Sequence, residues 1–400
     1  MTKEVDEVIL YDNEAVFPLG MYDQPNDRAE WQEWKRAGIN LLRCHSEEQL
    51  DQTHKRKMMG WVPVPIICRD AEGEAALTER VKSLRGHPAL VTWEAQDEAI
   101  WNACRLDDGV VTNRIWAQPP DVRAMVHSRL DALVPRLRRG SAIVRSLSPG
   151  KKVWLNEAAK SDQETLARCL PWLDIVGYDY YPVPEDPWRG RQLHLLGGYT
   201  DRFRRTAPSR DVWVVEQAFS WSNISKSDVG RSDRIHDYNS NTWPETPLAE
   251  SEKHPTVEEC RFMAWIAISH GATGLLWFGS STEKRPSPFL HGLMEVVAEL
   301  AAVQPFLTAG GVTRIRATPD GRQCPPVLGV STVARRNGNG ILLALINEDY
   351  SDHDVKVTGM EEIKPGDLTP VVDPSDDPKS SSDGLTTKMR GHEVRVYVTG

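Results

Sequence analysis

Short runs of Val, Ile, Leu and aromatic residues recur along the first three quarters of the chain, separated by stretches in which apolar residues return every three or four positions. Runs of the first kind predict buried strands and stretches of the second kind predict amphipathic helices. Eight strand runs stand out: 16–23, 39–45, 61–69, 90–98, 152–158, 173–182, 212–221 and 273–280. Between them, "DRAEWQEWKRAG" sets Trp31, Trp34 and Ala37 on one face and stops at Gly38, while "TVEECRFMAWIAISHGA" opens on Thr256 as an N-cap. Eight strand-then-helix units joined by right-handed crossovers predict a (β/α)8 barrel. A doubly wound open sheet would need a glycine-rich phosphate turn after the first strand, and "LGMYDQPNDR" lacks that spacing.

The texture changes near residue 312. "VLGVSTVARR", the turn signal "NGNG", "ILLALINE", "DVKVTG" and "EVRVYVTG" alternate apolar and polar positions without helical stretches. That pattern predicts a small β-sandwich. The expected division is a barrel over 1–310 and a C-terminal β-sandwich accessory domain over 311–400.

Composition narrows the function classes. The 400 residues are 40% hydrophobic and 26% charged, an ordinary globular balance, and the net charge of -9 with no basic block argues against a nucleic-acid binder. No apolar run approaches the roughly 18 residues that cross a bilayer, so neither a membrane nor a nucleic acid is expected as partner. Residues 1–15 lack a signal-peptide pattern and the chain is expected to be soluble; a secreted or periplasmic protein whose signal had been removed would read the same way. Six scattered cysteines, Cys44, Cys68, Cys104, Cys169, Cys260 and Cys324, fit buried free thiols better than a metal site or a disulfide framework. No metal or other cofactor is expected.

In such a barrel the chemistry sits where the strands end, because the loops that follow them form the open face. The ends here carry Tyr22 and Asp23; Arg43 and His45; Arg69 and Asp70; Asp97 and Glu98; Asn156 and Glu157; Asp179, Tyr180 and Tyr181; Glu216 and Gln217; and Trp277. This rim is acidic and aromatic. It has no His-x-His on the first strand for a metal hydrolase and no glycine-rich loops after strands seven and eight for a phosphate. Paired carboxylates among aromatic rings suit cleavage of a glycosidic bond, where one acid protonates the leaving oxygen and a carboxylate acts from the other face of the sugar.

The residues "HPALVTWEAQDEA", "DVWVVEQAFSW", "GATGLLWFGS" and "FPLGMYD" resemble strands four, seven, eight and one of the clan A glycoside hydrolases. The resemblance implies a retaining β-glycosidase acting on a carbohydrate substrate, with Glu98 as acid/base and Glu216 as nucleophile, their carboxyls about 5 to 5.5 Å apart. It further implies substrate contacts from Asp97, Arg43, His45, Tyr180, Trp277, Trp101 and Trp221. One departure is Asp97, where clan members carry an asparagine whose amide binds a sugar hydroxyl.

Other readings stay open beside this one. Glu157 carries the literal Asn-Glu pair of the signature but belongs to strand five, so it is expected as a rim or ion-pair residue. Glu94 is expected to be buried against Arg43 or another base, and Arg43 and His45 to share the barrel's interior side. Tyr180 or Tyr178 is expected beside Glu216. The loops 99–121 and 222–255, with Trp101, Trp116, Trp221 and Trp243, are expected to set specificity, and Trp188 is expected in a loop as well. The rival classes are a carbohydrate-binding barrel without catalysis and a metal-dependent hydrolase using Asp70, His45 and Glu98.

Overall fold

The computed structural model describes residues 9–11, 14–183, 191–221, 223, 254–312, 314–320, 329–360, 363, 365–372, 379–381 and 384–399. Cys324, Trp188, Trp243 and most of the loop 222–255 lie outside the described residues. Eight parallel strands close into a barrel: β1 (Leu19–Met21), β2 (Leu41–Arg43), β3 (Met59–Pro63), β4 (Leu90–Glu94), β5 (Lys152–Ala158), β6 (Ile175–Asp179), β7 (Asp211–Gln217) and β8 (Gly274–Phe278). The strands fall where the hydrophobic runs place them, but several are shorter. β4 ends at Glu94, so Asp97 and Glu98 lie beyond it.

Helices α1 (Arg28–Ala37), α2 (Glu47–His54), α3 (Ala71–Leu84), α4 (Ala99–Ala103), α5 (Pro120–Leu147), α6 (Gln163–Cys169), α7 (Leu195–Thr206), α8 (Val257–Ser269) and α9 (Pro288–Ala302) lie among the connections after the strands. Local sequence sets their ends. Asp27 caps α1 by accepting from Glu30 N, and Gly38 closes it in the left-handed region at φ 102°. Thr256 opens α8 with a reciprocal capping box to Glu259. Among the described residues, no helix is long and apolar enough to cross a membrane.

Size complementarity fills the lumen. Trp61, Trp154 and Trp213 pack there with Tyr22, Leu41, Met59, Ile175, Val215 and Leu276, and Ile9 of a hairpin formed by 9–11 and 14–16 joins the same cluster. Glycines on the inward side give the large side chains room. A Cβ on Gly177 would meet Trp154 at 2.7 Å, one on Gly274 would meet Trp213 at 2.7 Å, and one on Gly20 would meet Leu276 at 2.3 Å. Side chains alternate between the two faces of a strand, so these contacts fix which residues look inward. On β7, Trp213 and Val215 face the lumen, whereas Val212 and Val214 join the layer between barrel and helices.

The C-terminal region forms two antiparallel sheets. One is ordered β9 (Gly310–Gly311), β11 (Val330–Asn337), β12 (Gly340–Asn347), β17 (Val394–Val398), β14 (Thr369–Pro370); the other is β10 (Arg316–Asp320), β13 (His353–Thr358), β16 (Gly384–Met389), β15 (Lys379–Ser381). β12 is buried on both faces: Ile341, Leu343 and Leu345 join the core shared with the second sheet, and Leu342, Ala344 and Ile346 join the barrel's core. The barrel-side contact runs through α8, whose Arg261 pairs with Glu299 of α9 at 2.6 Å and also donates to Val394 O at 2.5 Å.

Gly177→Ala tests the lumen packing. It should cost about 2 kcal/mol by forcing Trp154 aside, seen as a lower midpoint in denaturant unfolding; an unchanged midpoint would mean the lumen has slack.

Candidate active site

At the open end of the lumen the inward positions include Tyr22, Arg43, Glu94, Asn156, Asp179, Gln217 and Phe278. Arg43 Nε donates to Glu94 Oε2 at 2.8 Å, Trp61 Nε1 donates to the same oxygen at 3.0 Å, and the Arg43 guanidinium lies 5.0 Å from the centre of the Tyr22 ring. Glu94 is fully buried, and burial, only partly offset by Arg43, pushes its carboxyl up to about 8. Tyr22 Oη, Glu94 Oε1 and Asn156 Oδ1 are buried without a hydrogen-bond partner. Buried polar atoms of this kind are usually satisfied in a folded protein, and orphans gathered at a barrel mouth suit a polar ligand.

Asp97 and Glu98 are brought to this mouth by β5. Asn156 Nδ2 donates to Asp97 Oδ1 at 3.0 Å, and Glu98 N donates to Asn156 O at 2.9 Å. The amide that a clan A signature would place at position 97 thus arrives from the neighbouring strand. Glu98 itself sits at φ 49°, ψ 40°, in the left-handed region that a side chain rarely adopts. Glu157 holds the next turn: it is fully buried, with Oε1 accepting from Ile100 N at 2.7 Å and Oε2 from Trp101 N at 3.1 Å and Ser161 Oγ at 2.7 Å. Burial raises its carboxyl to about 8 despite these donors, and the charge of Glu98 adds to the rise.

Asp179 completes the cluster. It is partly buried at the inward end of β6, and its carboxyl is raised well above the usual range, first by desolvation and then by the charges of Glu98 and Asp97, with the Tyr181 hydroxyl opposing the rise. Desolvation of its carboxyl also raises Asp97, against the hydrogen bond from Asn156, although the residue as a whole is exposed. Tyr181 packs against Phe219 at 5.1 Å and Phe278 at 5.8 Å between ring centroids, and Trp221 stands over it with Nε1 donating to Tyr181 O at 3.3 Å. An aromatic wall therefore borders the acidic mouth.

Several expected site residues are placed elsewhere. Glu216 shares its side of β7 with Val212 and Val214 and pairs in register with Trp277, which lies in the layer beneath the helices. Alternation thus turns both Glu216 and Trp277 away from the lumen, and the structure does not bring Glu216 together with Glu98. Glu216 is fully buried with no hydrogen bond of ordinary geometry to either oxygen; the Trp277 indole is the nearest stabilising group, and burial raises the carboxyl to about 8. Its charge acts on Cys260 of α8 and on Tyr178, both in the helix layer.

Tyr178 lies close enough to Glu216 to feel its charge, as expected, but for the same reason neither it nor Tyr180 enters the lumen. Tyr178 faces outward, its hydroxyl donating to Leu196 O at 2.8 Å, and Tyr180 packs on Tyr199 at 5.0 Å, so the inward tyrosine is Tyr181. His45 is exposed, since β2 ends at Arg43 and alternation no longer governs two residues later. Trp101 lies on α4, outside the lumen. Asp70 caps α3 by accepting from Gly73 N at 2.9 Å. Cys44, Cys68, Cys104, Cys169 and Cys260 are buried free thiols.

Comparison with known proteins fits this picture of the fold. Neither a scan against protein-family models nor a search of curated proteins gives a match. Solved structures do match. A GH42 β-galactosidase from G. stearothermophilus superposes with a TM-score of 0.58 at 10% identity, over 96% of this chain and 98% of that one. A GH30 endoxylanase from Clostridium papyrosolvens gives 0.53 at 8% identity, over 96% of each chain. The β-galactosidase of the psychrophilic Marinomonas ef1 is 15% identical with a TM-score of 0.49 over 72% of this chain, which spans 60% of that protein's length. At these identities the likeness shows the fold, a (β/α)8 barrel followed by a β-rich domain, as found in clan A glycoside hydrolases.

Two outcomes follow from the buried acids. Glu157→Gln offers one acceptor oxygen for three donors, so at least one is left unmatched; the variant should lose about 1–3 kcal/mol, and the Ile100 and Trp101 amides should exchange hydrogen faster. Glu216 has a folded value of about 8 against an ordinary 4.5, so the folded chain keeps a proton that the unfolded chain releases, and stability falls as pH rises through that window. Glu216→Gln removes this loss: its thermal midpoint should match the unaltered chain near about pH 5 and exceed it near about pH 9. Equal midpoints at both would show that Glu216 is not a buried, unpaired acid.

Proposed function

We propose that the chain is a glycoside hydrolase whose working carboxyls are Glu98 and Asp179 at the mouth of the barrel. The observation that carries this reading is the pair itself: Asp179 stands partly buried at the inward end of β6 beside the Tyr181 hydroxyl, and among neighbouring charges Glu98 acts on it most strongly. Two carboxyls in this relation cannot both ionise readily, so one holds a proton while the other stays charged. That is the division a glycosidic bond requires, an acid for the leaving oxygen and a carboxylate for the anomeric carbon or for water.

Desolvation and the charge of Glu98 both favour the protonated form of Asp179. The acid role suggested for Glu98 by its place in the clan signature therefore falls to Asp179, and Glu98 acts as the carboxylate. Asn156 and Asp97 are placed to hold sugar hydroxyls, and Tyr181, Phe278 and Trp221 offer ring faces to sugar C–H groups. The barrel likeness supports carbohydrate as the substrate class, and a β-linked glycoside is the form the clan resemblance favours. A retaining route through Glu216 is not included, because its carboxyl lies behind β7.

A second reading has an observation of its own. With no β7 carboxylate at the open end of the lumen, the barrel would bind carbohydrate without cleaving it.

Aryl glycosides with good and poor leaving groups separate the roles. Asp179→Asn should keep most activity on dinitrophenyl glycosides and lose about 10³-fold or more on poor leaving groups, whereas Glu98→Gln should lose comparably on both. Glu216→Gln should stay within about threefold of the unaltered chain. The anomeric form of the first product, followed by NMR, distinguishes retention from inversion. Sugar binding without turnover across the whole panel would overturn the enzyme reading in favour of the binding barrel.

A further inference from the structure

A second cavity, of about 530 Å³, lies outside the lumen, walled by α4, the segment 112–116, the start of α5 and the turn after β5. Two features of its lining do not belong to an ordinary surface hollow. Trp116 is 74% exposed, more than any other large apolar residue described, and Trp101 joins it in the lining. A bare indole beside a cavity that also holds charged side chains is a stacking face in search of a ring, since burying it elsewhere would be favourable.

The second feature is charge. In a chain of net charge -9, Arg114, Arg123, Lys160 and Arg202 all line this one cavity. Arg202 donates to Ala159 O and Ser161 O, each at 3.0 Å, so it is anchored by neutral carbonyls, with no carboxylate paired to it among the described residues. The carboxylates in the lining are Asp162 and Glu164, and Asp162 is engaged in capping α6 through Thr165 N at 2.8 Å. Guanidinium groups bind carboxylate and sulfate through paired hydrogen bonds, while indoles stack on sugar rings. A ligand that satisfies both is an acidic sugar.

We infer that this cavity is a binding site for an anionic sugar unit, which makes the substrate a uronate- or sulfate-bearing glycan. The inference deepens the proposed glycosidase and rests on that reading for the word substrate. The cavity shares its wall with the catalytic mount: Trp101 and Ser161 line it, and both donate to Glu157, at 3.1 Å through the Trp101 amide and at 2.7 Å through the Ser161 hydroxyl. Trp101 is three residues beyond Glu98, about 5 Å along the helix. A glycan reaching from the lumen over α4 would place a neighbouring sugar in the cavity.

Isothermal titration calorimetry tests this on the full chain carrying Glu98→Gln, with a galacturonic acid tetramer, a carboxylate-free sulfated galactan tetrasaccharide and neutral cellotetraose as probes. One of the two anionic probes should bind about tenfold or more tighter than cellotetraose, weaken as salt rises, and lose about tenfold in both Trp116→Ala and Arg123→Ala. Which anion binds tells carboxylate from sulfate. Equal affinity for all three probes, no binding of either anion, or anion binding unmoved by both substitutions would overturn the inference. The two readings fail separately. Hydrolysis of neutral glycosides without anion binding removes only the cavity's role, while Trp116-dependent anion binding without hydrolysis of any glycan removes only the catalytic one.

Discussion

The carboxyl of Glu157 is the tie on which the open end of this barrel depends. It accepts two backbone N–H groups from the turn that carries Glu98 and one hydroxyl, that of Ser161, from the turn after β5, while the carbonyl and amide of Asn156 fix Glu98 and Asp97 from the same strand. A non-glycine residue in the left-handed region costs on the order of 1–3 kcal/mol and persists only where its surroundings over-determine it. Four hydrogen bonds from β5 and one within α4 supply that determination. The carboxyl achieves this from a fully buried position that works against its own ionisation, so the tie is maintained at a cost in stability.

A second constraint decides which acids can share a site with Glu98. Parallel strands paired in register must turn neighbouring residues to the same side, and the lumen tryptophans with their opposing glycines leave no freedom in the choice. Val215 and Leu276 look inward together, so Glu216 and Trp277 look outward together. Glu216 then lies under α8, and α8 lies under the C-terminal sheet. Both layers cover its carboxyl on the outer side, and the β7 backbone separates it from the mouth of the barrel.

The eight strands, the helices between them and the change to antiparallel sheets were all legible in the hydrophobic periodicity, because burial acts on whole runs of residues. The site was legible as a rim of strand ends but not as a facing set. A single residue of phase decides whether a terminal side chain points in or out, and the end of a run does not carry that phase. The signal that does carry it is internal: counting by twos from Trp213 passes Val215 and skips Glu216, and the same count on β6 from Gly177 reaches Asp179. Asn156–Glu157 showed a related difficulty. Its motif was visible, but its role as the mount for Asp97–Glu98 depends on pairing between β4 and β5 that no local pattern states.

The central claim is that a glycosidic bond is cleaved between Glu98 and Asp179, in front of the barrel rather than behind β7. A crystal structure with a non-hydrolysable thioglycoside measures this most directly, through the distances from the anomeric carbon and the bridging sulfur to each carboxyl. The account predicts Glu98 and Asp179 on either side of the sugar, each within about 3.5 Å of its reacting atom, with Glu216 screened by the β7 backbone. An anomeric carbon facing the Glu216 carboxyl at that distance would contradict it.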